Sequence, residues 1–221
     1  MEGCGRKIGP YPCCSIITGD ARELAKAIPD ESVDLIFTDP VYDRIEDYRW
    51  LGRTAQKILK PGHSVIAQVG TYYLDQSIEA MKLGLSYFWV LAEVYPFAQA
   101  MLWDRRITQG WKPYIWFTKG KPTISHRIIV DRWHGGGRYK SSHVWGDSST
   151  FATYVIGRFP KSSVVVDVFT GGGVTPASCK LNDLHYLCFE IVPGLAEKAR
   201  ERVRITQSPL FVMEPEQACL L

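Results

Sequence analysis

The chain has 221 residues, 46% apolar and 22% charged, a balance that suits one sizeable core and excludes disordered or fibrous classes. Its net charge of +3 excludes a polycation, so any surface for nucleic acid has to be a local patch. No apolar run reaches the length of a membrane span and the first 14 residues lack a signal-peptide core, so a soluble, cytoplasmic protein is expected.

In chain order, Cys14–Ile17 reads as a short strand ended by Gly19-Asp20, and residues 21–28 read as a helix stopped by Pro29-Asp30. Val33–Thr38 is a strand that breaks at Asp39-Pro40. Trp50, Leu51, Ala55, Ile58 and Leu59 share one helical face over residues 46–59, and Lys60-Pro61-Gly62 is expected to close that helix. Val65–Val69 is a strand and residues 73–83 a helix. Tyr87–Tyr95 and Tyr114–Thr118 are β-rich, the second following the Gln109-Gly110 turn. Residues 119–147 are glycine-rich and basic, without clear periodicity. A helix over about 149–158 precedes the most apolar strand, Val164–Val168, and another starts near Thr175-Pro176. Leu184–Phe189 is a strand ending at Glu190, and residues 193–204 form the last helix. Strands alternating with helices predict a single α/β domain over 1–221, its sheet mostly parallel and covered on both faces, with one antiparallel strand near 111–118.

The cysteines are Cys4, Cys13, Cys14, Cys179, Cys188 and Cys219. They form no Cys-x-x-Cys pair, so no zinc ribbon or redox motif is expected. Cys179 and Cys188 lie in apolar surroundings and read as small core residues.

Two motifs carry chemistry. The first is Asp167-Val168-Phe169-Thr170-Gly171-Gly172-Gly173, at a strand end and opening a helix. Glycines there let the backbone turn sharply and approach a ligand, and N–H groups at a helix start favour an anionic group. Glu190, at the next strand end, suits ribose hydroxyls. The dinucleotide spacing would need a third glycine where Pro176 stands, which favours a nucleoside ligand without pyrophosphate, such as S-adenosylmethionine. A tight turn with no ligand is the other reading of the loop alone.

The second motif is Asp39-Pro40-Val41-Tyr42, at the carboxyl end of the sheet where open α/β sheets bind ligands. A base amine is a poor nucleophile because its lone pair is delocalised into the ring. The Asp39 carboxylate and the Pro40 carbonyl form an acceptor pair for its two N–H groups, turning the lone pair toward a donor. Proline fixes the backbone that carries the carbonyl, and Tyr42 suits stacking on an extruded base. By itself the segment also reads as an ordinary Asp-Pro turn with a packed tyrosine.

Together, Thr38-Asp39-Pro40-Val41-Tyr42 followed by Phe169-Thr170-Gly171-Gly172-Gly173 resembles the DNA amino-methyltransferases, in the group whose catalytic motif precedes the cofactor motif. Thr18-Gly19-Asp20, Ile28–Asp34, Lys60-Pro61-Gly62, Glu190 and Ala199–Val203 extend the resemblance over roughly residues 15–204. It departs at Val41, where the family usually has proline, and at Val168, before Phe169. The resemblance implies a Rossmann-like methyltransferase fold with S-adenosylmethionine as cofactor and no metal. It implies Asp39, Pro40 and Tyr42 as the catalytic set and Asp20, Thr38, Asp167, Phe169, Gly171, Gly173 and Glu190 as the cofactor set, with Asp20 toward the adenine. The helix near Thr150–Phe159 would cover the cofactor's methionine end. Aspartate at position 39 accompanies adenine-N6 transfer in this family. The expected function is therefore adenine-specific DNA methylation in a restriction-modification setting, with a bacterial or phage host and a homodimer. Cytosine-N4 or RNA methylation, a non-catalytic nucleic-acid-binding module and, more remotely, a nicotinamide dehydrogenase stay open.

Between the motifs, Lys119–Asp147 holds six basic and two acidic residues, a balance of +4. Arg127, Arg132, Arg138 and Lys140 are the expected phosphate contacts in this insert, with Trp133, Tyr139 and Trp145 as stacking candidates. The three histidines there, His126, His134 and His143, lack metal-ligand spacing.

Overall fold

The computed structural model describes residues 4–96, 100–134 and 148–207. Two short antiparallel strands, β1 (Lys7–Ile8) and β2 (Tyr11–Pro12), form a hairpin before β3 (Ser15–Thr18). Helix α1 (Ala21–Leu24), extended by a single 3-10 turn, leads to β4 (Val33–Thr38). Then come α2 (Ile45–Ile58), β5 (Leu59–Gln68), α3 (Leu74–Met81) and β6 (Ser86–Val94). A second hairpin, β7 (Ala100–Leu102) and β8 (Ile107–Gln109), precedes β9 (Trp111–Thr118) and β10 (Arg132–His134). The rest is α4 (Ser148–Ile156), β11 (Val164–Asp167), α5 (Val174–Asn182), β12 (His185–Glu190) and α6 (Pro193–Ile205).

Eight strands make one sheet in the order β10-β6-β9-β5-β4-β11-β12-β3. Within it β9 alone runs antiparallel to its neighbours, β5 and β6. This is the strand expected near residues 111–118. Both faces are covered, which is why the central strands read as unbroken apolar runs: every residue of β4 and β11 is buried. The side-chain alternation of a strand still sorts them. Ile36, Val65, Val164, Val166 and Phe189 pack with helices α1 to α3, whereas Leu35, Ile66, Val165 and Cys188 pack with α4 to α6. Helix α2 shows how one helix joins this core. Glu46 and Asp47 stand in its first turn and Lys57 in its last, as the macrodipole favours. Tyr48, Leu51, Ala55 and Ile58 form its buried stripe.

One expectation is corrected. Lys60-Pro61-Gly62 does not link α2 to the next strand; all three lie inside β5, because Leu59 is already extended at the helix end. Val33 pairs with Leu59 and Leu35 with Ser64, so Lys60 to His63 stand opposite the single residue Asp34. The bulge has a charge to serve. Lys60 Nζ lies 2.7 Å from the Asp34 carboxylate, whose other oxygen accepts from the Val164 N–H at 2.8 Å. Both hairpins and β10 also go beyond what the sequence pattern indicated. Among the described residues no helix is long and apolar enough to cross a membrane.

Candidate active site at the carboxyl ends of β4 and β11

Strands β4 and β11 are parallel neighbours, with Ile36 opposite Val166, so their carboxyl ends place Thr38 beside Asp167. Thr38 Oγ1 donates to Asp167 Oδ1 at 2.7 Å, and the Phe169 N–H donates to the same oxygen at 3.0 Å. Asp167 is buried, and burial raises its pKa to about 6 against the pull of the Thr38 and Thr175 hydroxyls. Its carboxylate thus fixes the start of the glycine turn. Glu190, at the end of β12, completes that turn: its two oxygens accept from Gly171 N–H at 2.7 Å and Val192 N–H at 2.8 Å.

The two glycines assigned to the cofactor differ in their surroundings. Gly173 caps α5 in the left-handed region (φ 80), and a Cβ there would lie 2.8 Å from Ala199 Cα in α6. Its lack of a side chain serves helix packing. At Gly171 (φ 51) a Cβ would meet nothing within 4 Å, so the outer side of this residue faces open space. Phe169 is half-buried and meets Trp50 edge-on with ring centroids 5.8 Å apart. Asp20 follows β3, whose Thr18 pairs with Glu190, and it caps α1 by accepting from the Arg22 N–H at 2.8 Å. The structure therefore brings Thr38, Asp167, Phe169, Gly171 and Glu190 together and sets Asp20 at the adjoining strand end.

The β4 end is built differently. Asp39 is exposed by area yet stands among dense protein, and this surrounding mass raises its pKa to about 6. The Lys112 charge opposes the rise, while Asp167 and Glu93 add to it. Pro40 is buried, and among the described residues no donor is paired with its carbonyl. Val41 is 52% exposed. Its carbonyl accepts from the Arg44 N–H at 3.2 Å and closes the turn.

Tyr42 is held by residues that no sequence motif announces. Gln68 Nε2 donates to the Tyr42 hydroxyl, and Tyr114 donates its hydroxyl to Gln68 Oε1 at 2.6 Å, with Glu93 Oε2 at 3.3 Å. The Tyr42 hydroxyl in turn stabilises the Asp39 carboxylate. Burial pushes the Tyr42 and Tyr114 phenols up, so both remain donors. Gly70 backs the Tyr42 ring: a Cβ there would lie 3.0 Å from Tyr42 Cβ. Pairing of Gln68 with Tyr114 across β5 and β9, and of Lys112 with Glu93 across β9 and β6, fixes this set. The antiparallel strand thus supplies the site's second wall.

The described part of the insert packs in part against the rest of the domain. Arg127 is exposed but donates to the Gly157 carbonyl at 2.9 Å. Arg132 is exposed on β10 at the sheet edge. Trp133 stacks on Tyr154 with centroids 4.4 Å apart, and His126 packs against Trp116 and Phe159. Arg138, Lys140, Tyr139, His143 and Trp145 lie outside the described residues.

The fold is that of the S-adenosylmethionine-dependent methyltransferases. Among solved structures it is similar to a complex of M1.HpyAVI with S-adenosylmethionine (TM-score 0.71, 19% identity, covering 86% of this chain and 99% of that one). It is also similar to the cytosine-N4-specific PvuII DNA methyltransferase (TM-score 0.70, 18% identity, 85% of each chain). No protein-family model matches the sequence. In sequence the chain resembles the DNA amino-methyltransferases. It is 27% identical over 250 residues to the type II methyltransferase M.BamHI of Bacillus amyloliquefaciens, covering 86% of this chain and 56% of that protein. It is 29% identical over 138 residues to M.BglII of Bacillus subtilis, covering 52% of this chain and 37% of that protein. The chain thus spans roughly half the length of the curated relatives or less.

Proposed function

We propose that the protein methylates an exocyclic base amine in DNA, using S-adenosylmethionine, with the N6 of adenine as the favoured target. The observation that carries this reading is the junction of an open acceptor pair, Asp39 and Pro40, with a glycine turn at the adjoining strand end, joined through the Thr38–Asp167 hydrogen bond. The cofactor, when bound, supplies a sulfonium-activated methyl group. The chain's residues suit such a group: Gly171 faces open space, and Glu190, although anchored by two backbone N–H groups, retains acceptor lone pairs for ribose hydroxyls.

At the β4 end the Asp39 carboxylate accepts one amine N–H and the Pro40 carbonyl the other. The amine nitrogen is drawn out of conjugation with its lone pair toward the glycine turn. Transfer would break the methyl–sulfur bond, leaving a neutral thioether, and would require the nitrogen to give up one proton; Asp39, with a pKa of about 6, is placed to take it and pass it to solvent. Tyr42, braced by Gly70 and Gln68, offers its ring to a base turned out of the duplex. Positioning supplies much of the rate. Arg127 and Arg132, with Arg138 and Lys140, belong to the proposed phosphate-contacting surface. A homodimer in a bacterial or phage restriction-modification setting completes the reading.

Aspartate at position 39 favours adenine over cytosine by the family association, whereas the similar PvuII methyltransferase is cytosine-N4-specific. The test is transfer of labelled methyl from S-adenosylmethionine to unmethylated genomic DNA, followed by nucleoside mass spectrometry. N6-methyladenine is the expected product. N4-methylcytosine would overturn the base assignment, and label in RNA alone would overturn DNA as substrate.

A further inference from the structure

At the opposite ends of these strands a second group of side chains converges. Cys4, Cys13, Cys14 and His185 each direct one donor atom into a common space, all four within 4.8 Å of one another. Cys13 Sγ lies 3.2 Å from His185 Nδ1 and 3.6 Å from Cys14 Sγ, and Cys4 Sγ lies 3.8 Å from His185 Nδ1. Four donors around a zinc ion, with Zn–S of about 2.3 Å and Zn–N of about 2.0 Å, stand roughly 3.5–3.8 Å apart at tetrahedral angles. The separations in this cluster scatter around that spacing.

The backbone is arranged to make this convergence. Successive side chains of an extended chain point to opposite sides, which would part Cys13 from Cys14. Cys14 instead adopts φ 60, a left-handed conformation disfavoured for a residue with a side chain, and the two sulfurs turn to one side. The β1–β2 hairpin returns the chain so that the Cys13 N–H donates to the Arg6 carbonyl at 2.9 Å, bringing Cys4 alongside. Cys14 N–H donates to the Tyr186 carbonyl at 2.8 Å, which sets the pair beside His185 at the start of β12. Strain at a residue that contributes a donor to such a cluster is a recognised mark of function.

We propose that Cys4, Cys13, Cys14 and His185 form a mononuclear Cys3His zinc site that fastens the segment before β3 to the sheet edge. Two thiols and one histidine could be explained as packing; three thiols meeting one imidazole nitrogen match the donor set of structural zinc sites. Binding exchanges the thiol protons for the metal and releases them to buffer, so occupancy falls in acid. The ordinary burial of Cys13 raises its thiol, and the Arg6 backbone N–H lowers that of Cys4, but a bound zinc deprotonates coordinating thiols outright. The site lies away from Asp39 and Glu190: His185 and Glu190 sit at the two ends of β12, about 16 Å apart at 3.3 Å per residue. Its role is therefore structural, and the inference stands apart from the methyltransferase reading.

The test is elemental analysis of the full chain purified without chelator or added metal. About one zinc per chain is expected. His185→Ala should lose most of it and His185→Cys should keep it, because four thiolates also make a zinc site. Chelation should lower the wild-type melting temperature and leave that of His185→Ala unmoved. Should the alanine variant fail to fold, cobalt(II) added to chelated wild-type protein decides: intense visible bands with thiolate charge transfer support a tetrahedral site. Zinc-free protein with weak cobalt bands, stoichiometric iron in place of zinc, or a disulfide among these cysteines by non-reducing mass spectrometry would overturn the proposal.

Discussion

The carboxyl ends of β11 and β4 are adjacent in the sheet but are finished in opposite ways. At β11 the protein satisfies its own polar groups: Asp167 is buried and bonded to Thr38 and Phe169, and Glu190 holds two backbone N–H groups. At β4 acceptor capacity is left over: Asp39 reaches solvent with the Tyr42 hydroxyl on its carboxylate, Pro40 has no paired donor among the described residues, and Tyr42 itself is held by Gln68. A closed end makes a fixed cradle for a ligand that always has the same shape. An open end has hydrogen-bonding capacity to spend on a substrate group that arrives with two N–H donors. On the proposed function, the difference divides holding from reacting along the carboxyl ends of one sheet.

This division can be broken at either end. The largest expected effect is on the open end: Asp39→Ala should lower the methyl-transfer rate by on the order of 100-fold or more, as for loss of a preorganised polar partner in other active sites. On the closed end, Gly173→Ala should destabilise the fold by about 2–3 kcal/mol through overpacking against Ala199, read as a lower denaturation midpoint. Tyr114→Phe removes the donor to Gln68 and so loosens Tyr42; transfer should fall by about 10-fold, the scale of one lost hydrogen bond, with cofactor affinity kept. Gly171→Ala should cost only about 1 kcal/mol of stability, from its positive φ without a clash, while weakening cofactor binding. This pair of glycines sharpens the comparison, because the same substitution two residues apart should separate folding from binding.

Titration provides a gentler probe. With the Asp39 pKa at about 6, the acid limb of the rate profile should inflect near pH 6, above the value of about 4 for an ordinary aspartate. The sign follows from its proposed role as acceptor: protonation as pH falls would remove the charge that binds the amine. Asp167, also raised to about 6, affects stability in the other sense. The folded state holds its proton more tightly than the unfolded chain, so this contribution is fully present below about pH 4 and is lost as pH rises through about 6. Asp167→Asn should flatten that dependence in thermal melts measured across the same range.

Most of the sheet was legible because its signals are local. The buried runs at Val33–Thr38 and Val164–Asp167 announce central strands, and Asp39-Pro40 and the Gly171–Gly173 turn follow them with residues disfavoured in a central strand. The antiparallel strand was legible too. The two-residue strands β1 and β2 are too short to show a period, and the Lys60–His63 bulge answers to Asp34 on another strand, which the chain order does not reveal. The motif residues of the candidate site could be read, but its bracing could not. Gln68, Glu93 and Tyr114 occupy ordinary strand positions and acquire their meaning from cross-strand register. The cysteine–histidine cluster was hidden for the same reason: Cys13 and His185 are 172 residues apart, beyond any spacing rule for metal ligands.

The central claim, that the β11 end holds the cofactor while the β4 end works on the amine, is tested most directly by calorimetric titration of S-adenosylmethionine into Asp39→Ala beside the wild type. Affinity unchanged within a factor of about two is predicted, well inside one kcal/mol. A loss of affinity in parallel with the loss of transfer would contradict the claim, since Asp39 would then belong to the cradle and not to the reacting end.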